Sequence, residues 1–166
     1  MQLYQFLLYL YFFMEISTEN SDFNKTFAPW ISITYKMIDG YIADIFLKEN
    51  IQVTKQQWII LKILYEKQNE IIQNELAFIT NRNKASLTRL ISVMEKKHLV
   101  VRNQSENDAR INLICITEKG KELFLKMKPL MLNSIQKIQS GLTQTEINTL
   151  IETLLKIQQN IQKQTI

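Results

Sequence analysis

The sequence predicts a mainly α-helical fold with one small β-hairpin. Glycine occurs only 3 times and proline only 2 times in 166 residues, so few positions interrupt long helices. Apolar residues recur at helical spacing through most of the chain. Two short apolar runs, residues 99–101 and 111–116, instead flank a polar turn, as the strands of a hairpin do. The length suits one domain with additional helical arms.

The first predicted helix covers residues 29–50. Pro29 suits its first turn, where the missing N–H group costs nothing. Apolar side chains line two adjacent stripes of this helix, so we expect it to be covered on more than one side. The stripes consist of Ile31, Tyr35, Ile38, Ile42 and Ile45, and of Trp30, Ile33, Met37 and Tyr41.

Cap motifs mark several of the later helices. Thr54 with Gln57, and Thr143 with Glu146, have the spacing of a capping box and predict that a helix begins at each site. Thr117 is the predicted N-cap of a long helix that follows the hairpin. The predicted helices cover residues 54–67, 73–79, 83–97 and 117–139, and a last helix follows Thr143.

The outer helices differ from the middle of the chain. Residues 51–116 can close a core of their own, yet the outer helices, residues 29–50 and 117–166, carry long apolar stripes. We interpret them as dimerisation helices, the alternative being one compact helical bundle. Residues 1–28 form an N-terminal extension, and we expect residues 1–13 to be a mis-called start, because Met14 opens an ordinary sequence. The apolar run there is shorter than the roughly 20 residues that span a bilayer, so we expect no membrane partner.

The positive charge is concentrated in one segment. Residues 81–110 hold seven lysines and arginines but three acidic residues, an excess equal to the whole-chain net charge of +4. This segment is either a solvated basic face or a surface for a polyanion.

Cys115 is the only cysteine and His98 the only histidine. The chain therefore forms no intramolecular disulfide and no zinc site, and a reducing, cytoplasmic compartment fits. We expect Cys115 to be a buried, inert thiol. No catalytic triad, metal cluster, phosphate loop or nucleotide fingerprint is present, so we predict neither an enzyme nor a cofactor.

Residues 73–90 have the spacing of a helix-turn-helix. Ala77 is the small residue required where two helices cross, and Asn81 tolerates the positive φ of a tight turn. Leu87 and Leu90 would hold the second helix against the first. Because the hairpin follows at once, residues 51–116 are predicted to form a winged helix-turn-helix domain. Its second helix would enter the DNA major groove with five outward polar residues: Asn83, Lys84, Ser86, Thr88 and Arg89.

The stretch from residue 73 to residue 124 resembles the MarR family of bacterial regulators. The matching segments are ELA at 75–77, LTRLISVMEKKHLVVR at 87–102, DAR at 108–110 and ITEKGKEL at 116–123. The segment VTKQQWIILKIL at 53–64 also resembles the helix before the recognition unit. One departure is His98, since the family usually has glycine there. His98 would adopt the same left-handed conformation at some cost.

The resemblance implies a homodimeric, double-stranded DNA-binding regulator, with a winged helix-turn-helix core and N- and C-terminal dimerisation helices. A repressor on a pseudo-palindromic operator is the expected form. Arg110 matches the wing arginine that reaches into the minor groove, and Arg102 lies in the same wing pattern. Asp108 would orient an arginine, Arg110 or Arg89, or would cap the local turn, and the two roles are compatible.

Relatives often release DNA when a small aromatic effector enters a crevice between the dimer arms and the winged helix. Trp30, Tyr35, Tyr41 and Trp58 would line such a crevice, although aromatic residues of this kind are more often core. The alternative function is a winged-helix module for protein–protein contact without DNA affinity. That function would favour an apolar or acidic recognition face. The basic residues Lys84, Arg89 and Arg110 do not fit this alternative.

Overall fold

A computed structural model describes residues 25–67, 70–105, 108 and 110–164. The predictions for residues 1–13, and for most of the extension 1–28, lie outside the described residues. The chain divides into two compact units, Met1–Lys48 and Glu49–Ile166. No helix in the described ranges combines the length and the apolar content that a membrane span requires.

The first unit contains helix α1, Ala28–Lys48, which confirms the predicted helix and ends two residues earlier than predicted. Ile33, Ile42 and Phe46 are buried. Much of the two predicted apolar stripes is exposed in the single chain, including Trp30 and Met37. The prediction that α1 is covered on more than one side therefore requires a surface beyond the residues that the structure describes.

The described residues of the second unit form five helices and three strands. Its order matches the predicted order except for one additional strand before the helix-turn-helix. The elements are α2 (Lys55–Glu66), β1 (Glu70–Ile72), α3 (Gln73–Ile79), α4 (Lys84–Lys96), β2 (Val100–Gln104), β3 (Asn112–Ile116), α5 (Glu118–Ile138) and α6 (Gln144–Gln164).

The predicted two-stranded hairpin is part of a three-stranded antiparallel sheet, in the order β1-β3-β2. Strand β1 places Ile71 opposite Ile114, and β2 places Val101 opposite Cys115. Strand β1 was not predicted, because its three residues are too few to show the alternation of apolar and polar residues that indicates a strand. It anchors the hairpin to the segment that enters α3.

The predicted caps are present. The Thr54 hydroxyl accepts from the Gln57 N–H at 3.2 Å, and the Gln57 side chain accepts from the Thr54 N–H at 3.2 Å. Thr117 accepts from the Gly120 N–H at 3.0 Å. At the third cap, the Thr143 hydroxyl accepts from the Glu146 N–H, and the Glu146 carboxylate accepts from the Thr143 N–H. The second of these bonds lowers the pKa of Glu146. These caps fix where α2, α5 and α6 begin.

The core of the second unit lies between α2, the helix-turn-helix, the sheet and α5. Its fully buried side chains include Leu64, Leu76, Leu87, Ile114 and Met127. Val93 has an apolar side chain in the middle of α4, yet the residue is 44 % exposed and lies outside the core. The buried stripe of α4 is narrow and consists of Leu87, Ile91 and Met94.

Candidate nucleic-acid interface

Helices α3 and α4 are joined by a short turn whose geometry is set by Asn81. Its φ is 49°, the left-handed conformation predicted for this position. The Thr80 hydroxyl donates to the Leu76 carbonyl at 2.6 Å, and the Arg82 N–H donates to the Ala77 carbonyl at 2.9 Å. Ala77 is buried, as a close helix crossing requires. These bonds hold α4 at a fixed angle to α3.

The N-terminal half of α4 carries the five predicted recognition residues, and three of them also maintain the helix. Asn83 is the N-cap, and its side chain accepts from the Ser86 N–H at 2.8 Å. The Thr88 hydroxyl donates to the Lys84 carbonyl at 2.8 Å. The Ser86 hydroxyl accepts from Arg82 Nη1 at 3.2 Å. Asn83, Ser86 and Thr88 therefore fix the position of the helix start.

The remaining two predicted recognition residues, Lys84 and Arg89, are exposed. No carboxylate in the described part of the chain forms an ion pair with either of them. Both side chains are cations on the outer surface of a helix whose inner face is fully buried. This geometry presents charge and hydrogen-bond donors to a ligand outside the protein.

Gln73 has a role at this surface that the sequence did not reveal. Its Nε2 donates to the Thr88 hydroxyl at 3.0 Å and so ties the start of α3 to α4. The Gln73 Oε1 atom is buried without a hydrogen-bond partner among the described residues. The sequence shows Gln73 as the first residue of the helix-turn-helix pattern, but a contact across fifteen residues needs the packed geometry.

We define the tip of the wing as Asp108 and Arg110, which are both exposed. Asp108 Oδ1 accepts from the Arg110 backbone N–H at 2.9 Å, and the Asp108 carbonyl accepts from the Ile111 N–H at 2.9 Å. Asp108 therefore caps the local turn, which was one of the two alternatives. The Arg110 guanidinium forms no ion pair with the carboxylates that the structure describes.

We define the base of the wing as Glu95, Leu99, Arg102 and Gly120. Arg102 Nη2 lies 3.3 Å from Glu95 Oε2, and the two side chains are 25 % and 32 % exposed. The Nε and Nη2 atoms of Arg102 are buried and lack an aligned hydrogen-bond partner within the described ranges. Although Arg102 is a predicted wing contact, its charge is directed toward α4.

Close backbone contact completes the base of the wing. A Cβ atom on Gly120 would lie 2.2 Å from the Leu99 carbonyl oxygen, so no other residue fits there without movement of the backbone. The same carbonyl accepts from the Thr117 N–H at 3.2 Å. His98 has φ 57°, which confirms the left-handed conformation predicted for the position of the family glycine.

The four predicted crevice residues lie in both units. In the first unit, Trp30, Tyr35 and Tyr41 are exposed on α1. In the second unit, Trp58 stacks on Phe124 with a centroid distance of 6.1 Å. The effector crevice stays a prediction. No group of metal-ligating side chains occurs in the described ranges.

The MarR family model matches residues 53–111, which include the helix-turn-helix and most of the wing. A SlyA-like transcription regulator from Listeria monocytogenes is 31 % identical, and the match covers 82 % of this chain and 89 % of that chain with a TM-score of 0.70. A MarR family transcriptional regulator from the same organism, complexed with a 26mer DNA, is 29 % identical, with the same coverage and a TM-score of 0.71.

A mutant MarR from E. coli complexed with operator DNA has the same fold. It is 21 % identical, the match covers 83 % of this chain and 99 % of that chain, and the TM-score is 0.75. The family model and the structural matches therefore indicate the same family, and its members are transcriptional regulators. The chain belongs to the MarR family of transcriptional regulators.

Proposed function

We propose that the chain binds double-stranded DNA sequence-specifically, as a homodimer on a pseudo-palindromic operator. One observation carries the proposal: Lys84, Arg89 and Arg110 are exposed, and none of them is neutralised by a carboxylate among the described residues. The helix cations suit a major groove and its phosphates, and the wing arginine suits a minor groove narrowed by A·T pairs. Two structures that share this fold contain DNA, which supports the same reading.

A fluorescence titration tests DNA binding directly. The purified full chain is titrated with the duplex upstream of its own coding region and with a scrambled duplex of equal composition, at several salt concentrations. We expect preference for the upstream duplex and a steep loss of affinity with salt, because phosphate contacts release counterions. A folded protein that binds neither duplex at low salt would overturn the proposal. That result would favour the alternative, a winged-helix module for protein–protein contact.

The exposed apolar surface of α6 supports dimerisation. None of the 21 residues of this helix is buried, and Leu150, Ile151 and Leu155 are each half exposed. Surface of this kind is typically covered by a partner in a stable protein. We expect a dimer in sedimentation velocity. Leu155→Lys should shift the chain toward monomer, whereas Asn160→Lys, on the opposite face of the helix, should not.

We further propose that the protein is a cytoplasmic repressor released from its operator by a small aromatic effector. A dimer that covers an operator blocks the polymerase unless the site lies outside the promoter. A reporter driven by the upstream region should rise when the gene is deleted, whereas a fall would identify an activator. Release is tested by adding benzoate or salicylate to the protein–DNA complex. If neither compound weakens DNA binding, small aromatic carboxylates of this kind are excluded as the effector.

A further inference from the structure

The second unit contains a cavity of about 290 Å³ beside the base of the wing. It lies between the loop that precedes α2, the end of α4 and the first turns of α5. Four aliphatic side chains line it: Ile51, Val53, Leu99 and Leu123. Val53 and Leu99 are buried, which makes this wall part of the folded core. Trp58 does not line this cavity, so it is separate from the predicted aromatic crevice.

Three lysines, Lys97, Lys119 and Lys126, surround the aliphatic wall. Lys97 Nζ donates to the Gln52 carbonyl at 2.6 Å and to Gln57 Oε1 at 3.3 Å, and Lys119 Nζ donates to the Lys97 carbonyl at 2.9 Å. All these acceptors are neutral. They hold two of the ammonium groups in place without cancelling their charge.

The charge balance of the cavity is positive. None of the three lysines forms an ion pair with a carboxylate in the part of the chain that the structure describes. Among the described residues that line the cavity, Glu49 is the single acidic one. An ammonium group has three donors, so Lys97 keeps one free and Lys119 keeps two. The cavity therefore combines an apolar wall with available cationic donors.

We propose that this cavity binds a small aliphatic carboxylate. The carboxylate would accept from Lys119 and Lys126, and its alkyl chain would lie against Val53, Leu99 and Leu123. An alkyl chain suits the wall because no aromatic side chain is among the described residues that line the cavity. The volume of about 290 Å³ is just below the roughly 300–1,000 Å³ range of ligand pockets, which favours a short chain. The proposal is independent of DNA binding.

The test is a methyl NMR titration of the full chain with sodium hexanoate and, separately, with 1-hexanol. We expect saturable shifts at the methyl groups of Val53, Leu99 and Leu123 with hexanoate, and at least tenfold weaker binding of the neutral alcohol. The methyl groups of Leu150 and Ile151 report non-specific apolar contact, because they are exposed on α6. Shifts confined to those residues, equal affinity for hexanol, or no saturation would overturn the proposal.

Charge variants assign the contact to the lysines. Lys119→Gln and Lys126→Gln should each weaken hexanoate binding about threefold, as expected of exposed ion pairs. Lys128→Gln is the matched control, since Lys128 is exposed on the same helix and does not line the cavity. Lys97 is left intact because its bonds hold the loop. Unchanged affinity in both lysine variants, with the fold retained by NMR, would also contradict the proposal.

Discussion

Arg102 and Arg110 lie on the same hairpin, and the sequence assigned both to the same surface. Their surroundings differ. Arg102 is about three-quarters buried at the base of the wing, beside Glu95. Arg110 is exposed at the tip, where its backbone N–H donates to Asp108 and its guanidinium pairs with no carboxylate among the described residues. The difference shows that positive charge in a wing serves two purposes. At the base the charge joins the wing to α4, and at the tip it lies in solvent, where we propose that it contacts DNA.

The comparison separates stability from binding. Changes at the base of the wing should alter the free energy of unfolding, and changes at the tip should alter DNA affinity. Substitutions at Gly120, Arg110 and Arg102 test that separation, from the largest expected effect to the smallest, and a smaller effect is expected at Cys115 in the neighbouring strand.

Gly120→Ala should destabilise the base of the wing by about 3 kcal/mol. The added Cβ would meet the Leu99 carbonyl oxygen at 2.2 Å and the Ile116 side chain at 2.9 Å. Chemical denaturation measures the loss. Gly40→Ala is the matched control, because no atom of the described residues lies within 4 Å of a Cβ at that helical position and alanine favours a helix by up to about 1 kcal/mol. Equal stabilities of the two variants would contradict the close contact.

Arg110→Ala should weaken operator binding by roughly 1–3 kcal/mol, since the contact of one wing arginine is lost. The free energy of unfolding should stay within about 0.5 kcal/mol of the unsubstituted protein, because an exposed side chain is removed. The Asp108 bond to the backbone N–H does not depend on the side chain at this position. Anisotropy titrations and denaturation curves measure the two quantities. A large loss of stability with unchanged affinity would contradict the role of the tip.

Arg102→Ala should lower the free energy of unfolding by about 1 kcal/mol, through loss of a partly buried ion pair. Glu95→Gln removes the charge of the partner and should produce a loss of similar size. A double variant tests the pairing, since its effect should be smaller than the sum of the two single effects. Strict additivity would show that the 3.3 Å contact contributes nothing.

The smallest effect concerns Cys115 on β3. Burial and the nearby Glu70 carboxylate raise the pKa of its thiol, and the Asn103 side chain only partly offsets them. The thiolate fraction near pH 8 is therefore lower than in the unfolded chain, so alkylation by iodoacetamide should be slower in the folded protein. Glu70→Gln should increase the rate slightly, and Glu75→Gln, in the next helix, should not. A faster reaction in the folded chain would contradict the raised pKa.

Much of the fold could be predicted because its elements begin with short-range signals. Thr54, Thr117 and Thr143 mark helix starts through bonds to residues three positions later. Asn81 and His98 are residue types that accept positive φ at reasonable cost, and both adopt it. Strand β1 has no such signal, because three residues paired with a distant strand carry no pattern of their own.

The candidate site could be predicted only in part. The identity and outward direction of Lys84, Arg89 and Arg110 follow from helical spacing and the family motif. The pairing of Arg102 with Glu95 and the bond from Gln73 to Thr88 do not, because they join residues from different elements. Composition gives the amount of charge, and packing decides which charges remain available to a ligand.

The most direct test of the central claim is the salt dependence of operator affinity for three proteins: the unsubstituted chain, Arg110→Ala and Arg102→Ala. The slope of log affinity against log salt counts the phosphate charges that the protein neutralises. We expect Arg110→Ala to reduce the slope by about 1, because the Arg110 side chain would neutralise one phosphate at the edge of the minor groove. Arg102→Ala should leave it unchanged. A reduced slope for Arg102→Ala, with none for Arg110→Ala, would contradict the division between base and tip.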